Sequence, residues 1–167
     1  VIQQIVGRHN RVVNQASPIV DTRLADGSRV NIVLSPISLE GSTICIRKFP
    51  EHPFSMDKLI SIGAISQEAA HFLEILVEAK YNIFISGGTG SGKTTFLNAL
   101  SQYIPHDERI ITIEDSAELQ LQGAENVVRL ETRNANTQGV EPITIRDLIR
   151  TSLRLRPDRI IVGECRG

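Results

Sequence analysis

The chain has 167 residues, of which 41% are hydrophobic, so it can form one domain or parts of two around a core. Its 18 Lys and Arg against 19 Asp and Glu leave a net charge of −1, and aromatic residues make up 4%. This composition argues against a general nucleic-acid binder, which would be basic and would offer aromatic platforms for bases. No apolar run approaches the roughly 20 residues of a membrane span, and no signal peptide is recognisable.

Two cysteines, Cys45 and Cys165, lie far apart without the spacing of metal ligands. This usage is typical of small thiols in a reducing compartment. We therefore expect a cytoplasmic protein, which could reach a membrane surface through a partner.

The first 50 residues carry strand patterns that follow the end of a helix at residues 1–6. Two strand-like runs, residues 19–24 and 29–34, are separated by Asp26-Gly27, a strong signal for a two-residue hairpin turn. A third strand over residues 43–49 places Ile44 and Ile46 on one face, with Cys45 and Arg47 on the other. We interpret residues 1–50 as the C-terminal part of a small α+β domain.

Residues 51–65 are interpreted as a linker that includes a short helix near residues 56–62. Ser66 is a suitable N-cap for a helix to about residue 79. Apolar spacing predicts that its inner face consists of Ala69, Phe72, Leu73, Leu76 and Val77.

A glycine-rich motif lies at residues 87–94 and matches G-x-x-x-x-G-K-[ST], the phosphate-binding P-loop. The apolar run at residues 82–86 predicts a buried parallel strand before it, and the spacing of apolar residues predicts a helix after it. Backbone N–H groups and the helix N-terminus would then surround a phosphate group. The expected nucleotide-binding residues are Gly87, Gly88, Thr89, Gly90, Ser91, Gly92, Lys93, Thr94 and Thr95, with Lys93 on the β- and γ-phosphates and the Thr94 hydroxyl on Mg²⁺.

Acidic residues follow two further apolar runs. Glu114 and Asp115 end a predicted buried strand at residues 109–115, and Glu164 ends another at residues 159–164. In open α/β sheets, ligands bind at the carboxyl ends of strands, so such acids are suited to hold Mg²⁺ through water or to activate water. We also predict a buried strand at residues 126–130, an acidic loop before it, and a helix from a capping box at Thr144 to about Arg156.

Several segments together resemble the CpaF group of tight-adherence (Flp) pilus ATPases, a branch of the type II/IV secretion ATPase superfamily. The segments are S-G-G-T-G-S-G-K-T, T-I-E-D-S-A-E-L-Q-L, V-V-R-L-E-T-R and R-P-D-R-I-I-V-G-E-C-R-G, with D-G-S-R-V-N-I-V-L and I-R-K-F-P in the first 50 residues. The resemblance covers almost the whole chain.

The resemblance implies a cytoplasmic homo-hexameric motor that works with inner-membrane platform proteins and has a RecA-like core. Residues 66–167 would be the N-terminal part of that core, and ATP would lie between the two domains. Residues 87–94 would be the Walker A motif and Glu164 the Walker B acid. Glu114, Asp115 and Glu118 would form the Asp box, and either Glu114 or Glu164 would activate water.

The resemblance also implies a histidine-containing segment after Walker B and a strand between the P-loop and Walker B strands. Because the sequence ends at Gly167, we expect it to lack both, to be a poor ATPase by itself and to form no stable ring. Arginines of the N-terminal domain approach the γ-phosphate in this family, which makes Arg47 a candidate, with Arg129 and Arg133 as competitors.

Two other classes of protein remain open at this point. A P-loop small-molecule kinase would have an Arg-rich lid and would not be expected to carry a strand-rich domain before the P-loop. A fragment that binds nucleotide without hydrolysing it would retain the same motifs.

Overall fold

The computed structural model describes residues 2–7, 13–50, 52–133 and 141–164. The chain divides into two compact units, Val1–Glu51 and His52–Gly167. Each unit has its own sheet and its own buried apolar residues. Within the described ranges, no helix combines the length and the apolar character that crossing a bilayer requires.

The first unit is a three-stranded antiparallel sheet with a short helix, α1, at Ile2–Gly7. Its strands β1 (Ile19–Arg23), β2 (Arg29–Val33) and β3 (Thr43–Arg47) are hydrogen-bonded in that order. Val30 and Ile32 of the central strand are only 1% and 0% exposed. The apolar alternation of β2 therefore forms the core of this unit, as its period of two predicts.

The turn between β1 and β2 is longer than the predicted two-residue turn. Ala25 and Asp26 occupy its centre, the Gly27 N–H donates to the Leu24 carbonyl at 3.0 Å, and Gly27 has a φ of +86°. The Asp26 carboxylate accepts the Ser28 N–H at 2.9 Å, which holds the pKa of Asp26 below its usual value. This local hydrogen bond supports a wider loop, because an aspartate can mimic a backbone turn two residues ahead.

β3 is shorter and less buried than the sequence indicated. It ends at Arg47, and although Ile44 packs against the core, Ile46 is 45% exposed. β3 lies at the edge of its sheet, where the apolar cluster does not cover every inward position. Cys45 is an exposed free thiol, and Cys165 lies outside the described residues.

The second unit contains a parallel sheet of order β5-β4-β6, formed by β4 (Arg109–Glu114), β5 (Asn126–Glu131) and β6 (Arg159–Val162). β4 lies between the other two and is buried at every position after Arg109, which its continuous apolar run predicts. The prediction of a buried strand was wrong for β5 and for β6, which are only partly buried, and β6 ends two residues before Glu164. β5 has one neighbouring strand among the described residues, so one of its edges has no strand beside it.

Among the described residues of this unit, four helices accompany the sheet: α2 (Met56–Ser61), α3 (Gln67–Glu78), α4 (Lys93–Ser101) and α5 (Ile145–Ser152). The predicted caps are confirmed, since the Ser66 hydroxyl accepts the Ala69 N–H at 3.2 Å and Thr144 forms a capping box with Asp147. α5 ends four residues before the predicted Arg156. Arg156 has a φ of 54° and precedes a proline, which disfavours helical backbone at that position.

The inner face of α3 differs from the predicted one. Ala70 and Val77 are buried and Leu73 packs on the same cluster, whereas Phe72 is 60% exposed. Apolar residues occur around most of this helix, so their spacing allows more than one rotation about the axis. The contacts of α3 with α2 and α4 select the observed rotation.

Residues 82–86 do not form the predicted buried strand. Phe84 is 91% exposed and Ile83 is 36% exposed, and neither sheet of the described residues includes this segment. A cavity of about 160 Å³ is lined both by Ile83 and by Ile160 to Val162 of β6. The cavity separates the segment from β6. The two therefore lie too far apart for the hydrogen bonds that pair neighbouring strands.

Candidate functional site

The glycine loop, residues 87–92, leads directly into α4. α4 begins at Lys93, and its N-cap is Gly92, which has no side chain to accept the first N–H groups of the helix. These N–H groups and the positive end of the helix dipole favour an anion at this position. The Lys93 ammonium donates to the carbonyls of Gly87 and Gly88 at 2.8 and 2.6 Å. The loop thus places one cation against its own backbone, as a phosphate-binding loop does.

A cavity of about 650 Å³ lies beside the glycine loop, within the size range of small-molecule sites. Its walls include Phe54, Phe84 and Phe96, together with Gly90 and Lys93. An apolar wall that meets a cation and a glycine-rich backbone can accommodate a molecule with one flat apolar part and one anionic part.

Glu114 ends β4 and is only 3% exposed. One carboxylate oxygen, Oε2, accepts the N–H groups of Glu118 and Leu119 at 2.6 and 2.9 Å. The other oxygen, Oε1, is buried and has no hydrogen-bond partner among the described residues. Burial raises the pKa of Glu114, and the two N–H groups oppose that rise. A buried carboxylate with one vacant acceptor oxygen is suited to bind a proton, a water molecule or the water shell of a metal ion.

The structure places Gly163, the residue before Glu164, against Glu114. The Gly163 N–H donates to the Ile113 carbonyl at 2.9 Å, so Gly163 lies opposite Glu114 in the parallel sheet. A Cβ atom at Gly163 would lie 2.9 Å from Glu114 Cγ, which is closer than carbon atoms approach without displacement. Gly163 therefore leaves room for the Glu114 side chain, and Glu164 follows at the same edge of the sheet.

The two other acids of the expected Asp box are held differently. Asp115 is exposed, and its carboxylate accepts the Thr132 hydroxyl at 2.6 Å. Glu118 is partly buried and contributes its N–H to Glu114. Since successive residues at a strand end point to opposite sides, Asp115 is directed away from the Glu114 carboxylate.

The three candidate arginines belong to different units, Arg47 to the first and Arg129 and Arg133 to the second. Arg129 is exposed on β5, opposite Thr112 of β4, and it slightly opposes the rise of the Glu114 pKa. Arg133 donates to the Glu141 carbonyl at 3.1 Å. Arg47 is exposed on β3 of the first unit, and its role near a phosphate stays a prediction.

Sequence reasoning overlooked two residues at this edge, Gly163 and Asn98. Asn98 is 6% exposed on α4, and its Oδ1 accepts the Gln120 N–H at 3.0 Å. The sequence offered a signal for Asn98, because it is a polar residue between Leu97 and Ala99, one helical turn after Thr94. For Gly163 the available signal was a glycine between an apolar strand and an acid.

No group of three or more His, Cys, Asp or Glu side chains in the described part of the chain could hold a metal ion by itself. The donors that are present fit Mg²⁺ bound with a phosphate ligand, which keeps several waters and needs few protein oxygens. They are the Thr94 hydroxyl at the start of α4 and the vacant Oε1 of Glu114.

Comparison with known proteins identifies the class to which this fold and site belong. The family model for type II/IV secretion system proteins matches residues 2–167. The chain belongs to this family. The finding supports the superfamily that the sequence motifs resemble, and the CpaF-like branch is a finer assignment that it does not test.

Individual relatives and solved structures are similar to this chain over most of its length. An uncharacterised protein of Methanocaldococcus jannaschii is 44% identical across 100% of this chain, which corresponds to 24% of that protein. The crystal structure of the VirB11 ATPase of the Brucella suis type IV secretion system, in complex with sulphate, is 28% identical with a TM-score of 0.52. This match covers 98% of this chain and 55% of that one.

A third relative supports the fold alone. The DotB ATPase of Legionella pneumophila is 23% identical with a TM-score of 0.58, over 89% of this chain and 40% of that one. The chain thus spans about a quarter to about half the length of these relatives.

Proposed function

We propose that the chain binds Mg·ATP and hydrolyses it as part of a motor that powers secretion or pilus assembly. One observation carries the proposal: a glycine loop opens α4 at Lys93 in the same unit in which Glu114 ends β4 and Glu164 follows two residues after the end of the neighbouring parallel strand β6. The family membership and the similarity to ATPases of secretion systems support it.

In this proposal the glycine loop and the N-terminus of α4 bind the phosphates. Lys93 exchanges the carbonyls of Gly87 and Gly88 for β- and γ-phosphate oxygens, which are stronger acceptors because they are charged. The Thr94 hydroxyl would hold Mg²⁺, and Thr95 lies beside Thr94 in the first turn of α4. Mg²⁺, when bound, neutralises part of the phosphate charge.

The two glutamates act on water. Glu164 would hold the water shell of the metal through its carboxylate. The vacant Oε1 of Glu114 would accept a hydrogen bond from the same shell and would take up a proton of the water that attacks the γ-phosphate as ADP leaves. The N–H groups of Glu118 and Leu119 hold the other oxygen of Glu114 in place, so the base keeps one orientation.

The activity of the whole protein is part of the proposal. We infer a RecA-like core, a homo-hexamer in the cytoplasm and docking on inner-membrane secretion or pilus proteins, with a CpaF-like protein as the finer assignment. Light scattering of the longest available form of the protein tests the ring. A monomer at all concentrations in the presence of Mg·ATP would contradict it.

Binding without hydrolysis is a second candidate, and the state of residues 82–86 favours it. This segment precedes the glycine loop and is exposed rather than held in a sheet. A glycine loop that does not follow a strand of a sheet can still bind phosphate through its N–H groups. It positions the γ-phosphate less firmly for attack by water.

Titration calorimetry with Mg·ATP tests the binding proposal. Lys93→Ala should weaken binding about 100-fold or more, as expected from losing one or two charge-assisted hydrogen bonds worth roughly 1.5–3 kcal/mol each. Lys58→Ala is the matched control, because Lys58 is an exposed lysine on α2. Equal affinity of Lys93→Ala and Lys58→Ala would contradict the assignment of the loop.

Phosphate release then separates the two candidates. If the chain is a hydrolase, Glu164→Gln should retain Mg·ATP affinity and lose about 10²–10⁴ in rate. If it only binds nucleotide, neither the parent chain nor the variant will release phosphate above the rate without protein.

A further inference from the structure

Besides the contact of its Gly123 carbonyl with the His106 ring, the acidic loop, residues 116–125, is attached to the rest of its unit through three consecutive backbone N–H groups. Those of Glu118 and Leu119 donate to Glu114 Oε2 at 2.6 and 2.9 Å, and that of Gln120 donates to Asn98 Oδ1 at 3.0 Å. Leu119 between them is 3% exposed. Glu118 and Leu119 thus hold the Glu114 carboxylate, and the next residue, Gln120, is hydrogen-bonded to a different element, α4.

Asn98 is well placed for this attachment. It lies four residues after Thr94 on α4, so both side chains are on the same face of the helix, one turn apart. Asn98 is 6% exposed, and its own carbonyl accepts the Ser101 hydroxyl at 2.7 Å. The helix that begins with Lys93 and Thr94 is thus connected by one side-chain oxygen to the loop that orients Glu114.

We propose that Asn98 is a positioning residue that keeps Glu114 in register with Thr94 by holding the Gln120 N–H. The proposal rests on the proposed function, in that Thr94 and Glu114 act on the same metal-bound nucleotide. Asn98 does not touch the nucleotide itself.

The physical consequence follows from the backbone. Without the Asn98 oxygen, the partly buried Gln120 N–H has to find another partner, and the nearest general one is water. A shift of Gln120 toward solvent moves the adjoining N–H groups of Leu119 and Glu118 away from Glu114 Oε2. The carboxylate then loses its fixed orientation, while the glycine loop, which is on another segment, keeps its own structure.

Two variants with the same branched side-chain shape test this. Asn98→Leu removes the acceptor and keeps the branching, whereas Asn98→Asp keeps an oxygen at the same position. Amide hydrogen exchange should accelerate at Glu118, Leu119 and Gln120 in Asn98→Leu and should return toward the parent rate in Asn98→Asp. If Asn98→Leu does not fold, Asn98→Ala removes the same acceptor and leaves space for a water.

The second readout is the Mg²⁺-dependent gain, which is the increase in nucleotide affinity that Mg²⁺ causes. Binding of the non-hydrolysable analogue AMP-PNP is measured with Mg²⁺ and with EDTA in the parent and in each variant. Asn98→Leu should reduce the Mg²⁺-dependent gain roughly 10- to 100-fold, the usual effect of losing a group that orients a metal site. Affinity in EDTA should be unchanged, because the glycine loop is intact.

Ser101→Ala is the matched control. It removes a buried hydrogen bond on the same helix, from the Ser101 hydroxyl to the Asn98 carbonyl, and does not touch the acidic loop. It should leave both the exchange at Gln120 and the Mg²⁺-dependent gain at the parent values.

The outcomes separate the two proposals. Parent-like exchange at the three amides in Asn98→Leu, or a parent-like Mg²⁺-dependent gain, overturns the role of Asn98. If the parent chain binds no AMP-PNP, the proposed function fails, and the exchange readout still decides whether Asn98 holds the loop.

Discussion

Glu114 has one carboxylate oxygen with two donors and another with none among the described residues. Its burial favours the protonated form, and its two backbone donors favour the charged form. The net effect of this environment is to raise the pKa of Glu114. A glutamate whose pKa is moved toward neutral pH can accept a proton from water more readily than an exposed one.

Glu114→Gln should change how the stability of the chain depends on pH. Because the folded pKa is raised, the folded state binds more protons than the unfolded state between the ordinary glutamate pKa and the raised value. In that window the free energy of unfolding of the parent falls as pH rises. Glutamine does not titrate, so the variant should lack this loss, and its free energy of unfolding should rise relative to that of the parent across the window.

Thermal unfolding from about pH 4 to about pH 8 measures this difference. Glu78→Gln, at an exposed position on α3, is the control and should follow the parent at every pH. If the stability of Glu114→Gln differs from that of the parent by the same amount at every pH, Glu114 has the same pKa in the folded and unfolded states, and the prediction is wrong.

Among the helices and strands, the start of β6 is joined to α3 and β4 by one buried cluster. The Arg159 guanidinium donates to the Glu108 carboxylate at 2.5 and 3.3 Å and to the Val77 carbonyl at 2.5 Å. The side chains of Arg159 and Glu108 are each 11% exposed. Lys80 also contacts Glu108 at 3.1 Å, but it is 53% exposed and contributes little.

Arg159→Met should destabilise the chain by roughly 1–3 kcal/mol, because the part-buried Glu108 carboxylate then keeps only the exposed Lys80 and the Val77 carbonyl loses one of its two donors. Arg150→Met, at an exposed position on α5, should change stability by less than about 0.5 kcal/mol. Urea unfolding monitored by circular dichroism provides both values.

The same ion pair predicts the sign of a pH effect. The hydrogen bonds from Arg159 hold the pKa of Glu108 below its usual value. Its contribution is therefore complete above the ordinary glutamate pKa and is lost as pH falls through the lowered value. The cost of Arg159→Met should shrink as the solution is acidified through that range, and a cost that is independent of pH would contradict the pairing.

For the molecule as a whole, the second unit exposes a group of apolar side chains around the cavity beside the glycine loop. Phe84 is 91% exposed and Phe54 is 42% exposed, and Ile83, at 36%, lines the same cavity. Contiguous apolar surface favours association, whereas single exposed apolar residues do not.

Phe84→Ser should therefore reduce the concentration-dependent association of the chain, with a change in unfolding free energy below about 0.5 kcal/mol. Leu39→Ser is the control, because Leu39 is 93% exposed in the first unit and belongs to none of the apolar clusters described above. Sedimentation over a range of concentrations measures both variants. Equal association of Phe84→Ser and the parent would show that this surface does not drive it.

Signals that act within a few residues were sufficient to predict much of the fold. The N-cap at Ser66, the capping box at Thr144 and the start of α4 after the glycine loop all depend on hydrogen bonds between near neighbours. The burial of β4 also followed from the sequence, because a strand covered on both faces needs apolar residues at every position. The acids Glu114 and Glu164 could be expected at one edge, since parallel strands end on the same side.

Contacts between distant residues decided the rest. The rotation of α3 depends on the helices it packs against, and its nearly continuous apolar residues do not encode one face. Residues 82–86 have the composition of a strand, yet a strand forms only where another strand is within hydrogen-bonding distance. Asn98 and Gly163 gain their roles from Gln120 and Glu114, which are 22 and 49 positions away along the chain. Such partners meet only after folding, because a side-chain oxygen or a missing Cβ acts on whatever the tertiary structure places beside it.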